Sequence, residues 1–336
     1  MLRIKSLFAS RHSGLLCALA ILLVGFGCAS EQFRDPVNLL DRSRLWIEVG
    51  LVAIPMTFII AAGGIDLSVG ALLALSAMVA GMCHRDLHWP LSLALGLAVV
   101  TGALGGAVNG VAASVLRVPP LVATLATLAI FRGLAVGISH GQPIGNLPAA
   151  FEEWGGFATV GRGPFALPQQ FVLLLLFTAL GELILRKTRA GRWTVQLGEN
   201  ELAARYAAIP VSWLRFGLFL ASGLVCGLGA ITYMAHYASA RPNANLGLEL
   251  EAIACVVIGG TRITGGSGTV IGTFLGLLFL SLLRFGLDMT GVLQQTQTIL
   301  VGVLVVVIAI FNGWLAKRRE RRGPIVLHVT QTEHII

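Results

Sequence analysis

Most of the charged side chains in this chain lie in short segments that separate ten apolar runs. The runs cover residues 14–30, 46–62, 70–83, 91–113, 119–138, 168–185, 213–235, 250–263, 269–284 and 294–313. A helix needs about 20 mostly apolar residues to cross the hydrocarbon core of a membrane, and a backbone in lipid must satisfy its own hydrogen bonds. Only 12% of the residues are charged, whereas soluble domains have about 25%. The sequence therefore predicts an all-α, polytopic membrane protein with about ten transmembrane helices.

Lys and Arg are more frequent in one of the two sets of segments that connect the apolar runs. With a cytoplasmic N-terminus, the inner segments carry 16 of the 24 Lys and Arg residues and the outer segments carry eight. Because cytoplasmic segments are enriched in positive charge, this bias places both termini in the cytoplasm. The predicted organisation is a cytoplasmic N-terminus (1–13), a transmembrane domain (14–313) and a basic cytoplasmic tail (314–336). The longest inner segment is 186–212, and the longest outer segment is 139–167.

Two of the apolar runs, 70–83 and 250–263, are short and adjoin glycine-rich turns. Residues 63–70 read Gly-Gly-Ile-Asp-Leu-Ser-Val-Gly, and residues 259–268 read Gly-Gly-Thr-Arg-Ile-Thr-Gly-Gly-Ser-Gly. Shortened, glycine-interrupted spans in both halves of a chain point to the central pathway of a transporter. A faint similarity between the halves, together with five spans in each, predicts two inverted five-helix repeats.

Asp66 is the ionisable group that lies deepest in apolar sequence. A carboxylate at membrane depth is costly unless it is solvated or paired, so Asp66 is a candidate functional residue. Three interpretations remain open: a turn residue that caps the helix beginning near Ser68, a residue that lines a translocation path, or a proton relay. In the first interpretation, Gly63, Gly64 and Gly70 supply the tight backbone around the turn.

Motifs for nucleotide binding and for a zinc protease are absent from the sequence. Without a Gly-Lys dipeptide, the chain has no phosphate-binding loop of the G-x-x-x-x-G-K-[ST] type. His-Glu-x-x-His is missing as well. His84 and His88 have i, i+4 spacing in an outer loop, and we expect a solvated loop here and not a metal site. The sequence thus predicts a chain that is not an enzyme, binds no metal or cofactor of its own, and does not bind nucleic acid.

The inner segment 186–212 contains a short predicted helix. Asn200 is a suitable N-cap, Glu201 suits the first turn, and Pro210 ends the segment. The helix carries Ala203 and Ala204, and we expect this small alanine face to dock into a groove on a partner protein. The alternative is a connector that lies on the membrane surface.

Five ordered motifs in this chain resemble those of ribose-type sugar ABC importer permeases. They are residues 61–70; Asn109-Gly110 before 119–125; Gly191-Arg192, Gly198-Glu199-Asn200 and Ala203-Ala204; 247–254 with 257–260; and 265–273. The resemblance covers roughly residues 46–313. It identifies a signature turn, a coupling loop and a second glycine-rich turn. Their residues are Gly63, Gly64, Asp66, Ser68, Gly70 and Asn109 (signature turn and path); Gly191, Gly198, Glu199, Asn200, Ala203 and Ala204 (coupling loop); and Gly259, Gly260, Gly265, Gly266 and Gly268 (second turn).

The resemblance implies the permease subunit of an ATP-driven importer in the bacterial inner membrane. Its cargo would be a monosaccharide or sugar-like molecule of the ribose, rhamnose or autoinducer-2 type. Two cytoplasmic ATP-binding subunits would hold ATP and Mg and contact the 186–212 loop. A second permease subunit, identical or related, would complete the lipid-embedded part. A periplasmic solute-binding protein would deliver the cargo, and the outer segment 139–167, with Glu152, Glu153 and Trp154, is expected to contact it.

Three further functions remain open at this point. One is a permease for branched-chain amino acids or nucleosides, another is a proton-coupled secondary transporter that uses Asp66, and the third is a passive channel or a scaffolding membrane protein. The chain also departs from the family pattern twice. Ala208 stands where the family usually has glycine before an Ile-Pro pair, and Arg284-Phe285-Gly286 replaces a typical Asn-Asn-Gly. We expect the second departure to alter the pathway wall or to reflect a heterodimeric arrangement.

Overall fold

The computed structural model describes residues 13–320 except 146, 157, 162, 164 and 165. These residues form a helical bundle with one small antiparallel hairpin, β1 (Thr159–Val160) and β2 (Leu167–Pro168). The principal helices are α1 (Ser13–Ala29), α4 (Ile47–Ala61), α5 (Val69–Arg85), α6 (Leu91–Ser114), α7 (Pro120–Ser139), α9 (Gln169–Lys187), α12 (Val211–Tyr237), α13 (Leu248–Ile258), α14 (Val270–Met289) and α15 (Gln294–Glu320). Shorter helices are α2 (Glu31–Arg34), α3 (Pro36–Arg42), the 3₁₀ helix Ser43–Trp46, α8 (Ala149–Gly156), α10 (Arg189–Glu199) and α11 (Glu201–Tyr206). The predicted termini fall mostly outside the described residues.

Each of the ten predicted spans coincides with a helix, which confirms the all-α, polytopic architecture. Within the described part of the chain, six helical segments are long and apolar enough to cross a membrane, and two apolar helices, α1 and α5, are shorter. Helix α13 has 11 residues, so it rises about 16 Å, roughly half of the hydrocarbon thickness. The count of ten spans and the two inverted repeats therefore stay predictions.

Helices α6 and α12 approach each other closely because each presents glycines four residues apart. A Cβ atom added to Gly106 would lie 2.9 Å from the Cα atom of Gly223, and one added to Gly227 would lie 2.6 Å from the Cα atom of Val99. A Cβ atom added to Gly102 would lie 2.7 Å from the Gly227 nitrogen. Small residues with this spacing allow backbone-to-backbone packing of helices in lipid. The contact fixes the relative position of polar side chains on α6 and α12.

Residues 238–247 connect α12 to α13 without forming a helix, and they run beside α5. Ala240 exchanges two backbone hydrogen bonds with Ile144, both 2.8 Å long. Ala240 lies against Gly81 of α5, and Asn245 lies against Gly70 of α5. Short α13 thus begins where short α5 begins, and the N-terminal ends of the two helices meet.

The Arg284-Phe285-Gly286 triplet packs inside the bundle. The Arg284 guanidinium donates to the Glu251 carboxylate of α13 at 2.7 Å. The Phe285 ring stacks on Phe33 of α2 with centroids 5.4 Å apart, and the Gly286 backbone lies against the ring of Phe26 in α1. The triplet therefore joins α14 to α13 and to the N-terminal helices, which gives this departure from the family pattern a packing reason.

Candidate functional site

The Asp66 carboxylate is buried in the turn between α4 and α5 and is hydrogen bonded on both oxygens. Oδ1 accepts from the Ser68 amide at 3.0 Å and from the Ser68 hydroxyl at 2.7 Å. Oδ2 accepts from the Ser222 hydroxyl of α12 at 3.1 Å. The side chain is 1% exposed. Donors on both oxygens offset the desolvation of the carboxylate, so this geometry favours the interpretation of Asp66 as a turn residue.

The hydrogen bonds around Asp66 continue into α6 and α7. The Asn109 amide donates to the Ser68 hydroxyl at 2.7 Å and its oxygen accepts from the Thr127 hydroxyl at 2.6 Å. The Thr124 hydroxyl accepts from the Leu67 amide at 3.1 Å. Four elements, the turn, α6, α7 and α12, are therefore tied together by one buried polar network. Sequence reasoning selected Asp66, Ser68 and Asn109, included Thr124 only as part of the 119–125 motif, and missed Thr127 and Ser222.

The signature turn, the coupling loop and the second glycine-rich turn meet at one end of the bundle. The Gly266 amide donates to the Ala61 carbonyl at 2.9 Å. A Cβ atom on Gly198 would overlap that same carbonyl and would lie 2.6 Å from the Gly266 nitrogen. A Cβ atom on Gly265 would lie 2.9 Å from the Gly198 oxygen and 3.0 Å from the Gly63 nitrogen. We call this contact, formed by Gly63, Gly198, Gly265 and Gly266, the glycine junction.

The other predicted glycines lie around the junction and serve different contacts. Gly259 packs on the Gly272 carbonyl of α14, and Gly191 packs on the last turn of α9. Gly64 faces Ile59 and Pro120 at 3.3 and 3.5 Å. Gly268 lies against Thr261. A Cβ atom on Gly260 would meet no heavy atom within 4 Å, but Gly260 has a φ of +88°, a conformation that glycine adopts without strain. The coupling-loop residue Glu199 contacts the junction through Gly266.

Gly70 lies where the N-terminal ends of α5 and α13 meet. A Cβ atom on Gly70 would lie 2.6 Å from both the Asn245 carbonyl oxygen and the Glu249 carboxylate. Arg132 of α7 donates to the Pro242 and Ala244 carbonyls at 2.7 and 2.9 Å. Gly70 is therefore needed for close approach, and it is separate from the glycine junction.

The 186–212 segment forms two helices, α10 and α11, where the sequence predicted one. Asn200 caps α11 as predicted, because its side-chain oxygen accepts from the Ala203 amide at 3.0 Å. Ala204 is 2% exposed and packs in a cluster with Ala62, Leu197, Ile209 and Val211. The predicted alanine docking face is therefore corrected: Ala203 is exposed but Ala204 faces the bundle. Adjacent helical residues point about 100° apart, so the two cannot share a face.

Helix α11 exposes two large apolar side chains beside its charged ones, and a third lies at the start of α12. Leu202 is 68% exposed, Tyr206 91% and Trp213 76%. Glu201 fixes α11 to α12, because its carboxylate accepts from Arg205 at 2.7 Å and from Arg215 at 2.9 Å. The hydrogen bond from Arg205 is the main reason that the pKa of Glu201 lies below its ordinary value. This contribution to stability is present at neutral pH and is lost as the pH falls through the lowered pKa.

Ala208 has a φ of +56°, a backbone conformation that suits the glycine expected here from the resemblance. The left-handed conformation costs an L-residue about 1–2 kcal/mol. We therefore expect Ala208→Gly to raise the stability of the α11–α12 corner by about 0.5–1 kcal/mol, since glycine adds some entropy to the unfolded chain. Thermal unfolding of the purified protein measures this effect. Ala207→Gly, at a neighbour without positive φ, is the control and should give no increase.

Comparison with known proteins identifies the family to which this chain belongs. A family model described as "Branched-chain amino acid transport system / permease component" matches residues 39–309. The chain belongs to this permease family. The ribose import permease protein RbsC of Bacillus subtilis is 36% identical over 301 residues, which are 89% of this chain and 92% of that protein. The autoinducer 2 import system permease protein LsrD of Escherichia coli K12 is 33% identical over 326 residues, covering 92% and 97%. No solved structure matches.

The permease family match covers the polar network, the glycine junction and α10–α11. The chain is thus a multi-pass membrane permease, and the resemblance of its motifs to ribose-type permeases is confirmed. The roles of the individual site residues stay predictions, because sequence similarity identifies the family and not the function of each side chain.

Proposed function

We propose that this chain is the membrane subunit of an ATP-driven importer for a monosaccharide or sugar-like molecule. The named activities of its relatives, ribose import and autoinducer 2 import, support this cargo class. The family description raises branched-chain amino acids as a second cargo class, but the relatives cited here are named for ribose and autoinducer 2. The chain supplies the path, is not itself an enzyme, and lies in the bacterial inner membrane with both termini cytoplasmic.

The observation that carries the proposal is the position of α10 and α11. Helix α10 contacts both glycine-rich turns at the glycine junction through Gly198, and α11, which follows it, presents Leu202 and Tyr206 to solvent. Large exposed apolar side chains on a polar segment mark a protein contact. We propose that a cytoplasmic ATP-binding subunit, holding ATP and Mg, binds here. A second permease subunit would provide the matching contact for a second ATP-binding subunit.

The cargo would reach the opposite end of the bundle on a periplasmic solute-binding protein. The 139–167 segment contributes α8 and the β1–β2 hairpin to that end. The hairpin and α3 line an open cleft of about 330 Å³ whose wall includes Asp41 and Arg44. Polar groups at the rim of such a cleft suit a transient contact with a soluble partner.

The buried network supports ATP-driven transport over the proton-coupled alternative. Asp66 accepts three hydrogen bonds and is 1% exposed, whereas a proton relay must exchange protons with water or a neighbouring titratable group. The carboxylate is engaged in holding the turn to α12. We therefore assign Asp66 to the architecture of the signature turn.

Reconstitution tests the proposed function directly. The permease, its cognate ATP-binding subunit and solute-binding protein are incorporated into vesicles, and uptake of radiolabelled ribose and of autoinducer 2 is measured. Uptake of one of them should require ATP, the binding protein and a hydrolysis-competent ATP-binding subunit. Accumulation by the permease alone, driven by a proton gradient, would refute the proposal. Uptake of leucine or a nucleoside in place of the sugars would reassign the cargo.

Leu202→Glu/Tyr206→Glu should separate the permease from its ATP-binding subunit. Charged groups at the centre of an apolar contact leave unpaired charge in the interface, so we expect at least a tenfold loss of co-purified ATP-binding subunit. Both side chains point into solvent, so the yield of folded permease should be unchanged. Tyr206→Phe keeps the apolar ring and is the matched control. Undiminished co-purification of the double variant would exclude α11 as the docking surface.

A further inference from the structure

Glu182 of α9 is a buried carboxylate that the sequence motifs do not include. It lies within the apolar run 168–185 and its residue is 8% exposed. Its Oε2 atom accepts from the Val270 amide at 2.7 Å and from the Ile271 amide at 3.0 Å. Its other oxygen forms an ion pair with Arg186, one turn further along α9.

The two amides belong to the first turn of α14. The first amides of a helix have no partner within the helix, and the helix dipole favours a negative charge beside them. Thr269 already caps α14 through its hydroxyl, which accepts from the Gly272 amide at 3.0 Å. Glu182 therefore adds a connection between two helices at an end that has its own cap.

Helix α9 is firmly connected to the coupling loop. Only Thr188 separates α9 from α10, and its hydroxyl accepts from the Gly191 amide at 3.2 Å. Gly191 packs directly on the Ile184 and Leu185 carbonyls of α9. With backbone against backbone at this corner, a displacement of α10 has little freedom except to move the end of α9.

Helix α14 is in turn connected to the rest of the glycine-rich region. It follows the second turn, whose Gly266 contacts Gly198 at the end of α10. Along its length the Thr273 hydroxyl pairs with the Thr57 hydroxyl of α4 at 2.7 Å. The α10–α11 segment is thus connected to α14 by two routes, one through Gly198 and the glycine junction and one through α9 and Glu182.

We propose that Glu182 is a positioning residue that transmits displacement of the α10–α11 segment to α14. The inference rests on the proposed function, because it assigns the mechanical route by which a docked ATP-binding subunit would act on the permease. Gly181 of α9 also packs against the Val270 side chain of α14, but Glu182 provides the hydrogen bonds between the two helices. The charge-assisted bonds from α14 to Glu182 make the two helices move together.

The test compares three variants in the reconstituted system. Glu182→Ala removes the connection, Glu182→Gln keeps an acceptor oxygen but loses the charge, and Thr269→Ala removes the other cap of the same helix end. We measure thermal unfolding of the permease–ATPase complex, ATP hydrolysis and cargo uptake. Glu182→Ala should lower the uptake per ATP hydrolysed at least fivefold while hydrolysis continues. The uptake per ATP hydrolysed by Glu182→Gln should lie between the values for Glu182→Ala and wild type. If the alanine variant does not fold, the glutamine variant alone tests the inference.

Thr269→Ala separates transmission from simple capping. It should lower thermal stability but leave uptake per ATP within twofold of wild type, because α9 remains attached to α14. Equal losses of uptake per ATP in Thr269→Ala and Glu182→Ala would show that Glu182 acts only as a helix cap. Unchanged uptake per ATP in both Glu182 variants would overturn the inference. If the wild-type complex itself shows no ATP-dependent uptake, the proposed function fails and this inference fails with it.

Discussion

Gly198→Ala is expected to abolish ATP-dependent uptake and to reduce the amount of folded permease. The added Cβ atom would overlap the Ala61 carbonyl and lie 2.6 Å from the Gly266 nitrogen. It would therefore push apart the two groups that form the 2.9 Å hydrogen bond between the turns. Overpacking costs about 1–3 kcal/mol where side chains can adjust. Here the neighbours are backbone atoms of two other segments, so the destabilisation should lie at or above the upper end of this range.

Gly217→Ala is the matched control for this substitution. Gly217 also lies in a helix, in the first half of α12, but no heavy atom lies within 4 Å of its Cβ position. Alanine favours the helix by about 1 kcal/mol over glycine, so this variant should fold and transport as well as wild type. Size-exclusion chromatography of the solubilised proteins and vesicle uptake measure both variants. Wild-type uptake by Gly198→Ala would show that the junction tolerates a side chain.

The helices of this fold could be predicted from the sequence, whereas the meeting of its glycine-rich segments could not. Apolar runs bounded by charged segments dictate where helices lie, because lipid leaves few alternatives for the backbone. A glycine-rich segment, however, has the same composition whether it forms a flexible linker or a close backbone contact. Gly63 and Gly265 form the glycine junction with Gly198, which lies more than 60 residues away from either of them in sequence. Only the tertiary structure brings them together.

The polar network was partly predictable for a similar reason. Asp66 is visible as a lone acid in apolar sequence, but hydroxyl side chains in a transmembrane helix commonly bond to their own backbone. Thr127 does so, at 3.3 Å from the Thr124 carbonyl, while it also donates to Asn109. Its sequence context therefore gives no sign of the second bond. Glu182 did carry a signal, since it is a carboxylate within an apolar run, although Arg186 at i+4 suggests an ordinary surface pair.

Asp66→Ala is expected to prevent folding or assembly of the permease. The substitution leaves the Ser68 amide and the Ser68 and Ser222 hydroxyls without their acceptor in the interior. Each unsatisfied buried donor costs about 1–3 kcal/mol. The loss also frees the turn from α12 and disturbs the bond that Asn109 donates to Ser68. The measured quantity is the yield of monodisperse protein, compared with Ser222→Ala, which leaves only the Asp66 Oδ2 atom unpaired and should lower the yield less.

Asp66→Asn distinguishes an architectural carboxylate from a proton-carrying one. The amide keeps one acceptor oxygen, which can face the two Ser68 donors, and its NH₂ group can donate to the Ser222 hydroxyl in a reversed hydrogen bond. We therefore expect a folded complex whose ATP-dependent uptake stays within about fivefold of wild type, a loss of about 1 kcal/mol. A permease that depends on titration of Asp66 would instead assemble normally and lose uptake completely, because asparagine cannot exchange a proton. Vesicle uptake at equal amounts of assembled complex decides between these outcomes.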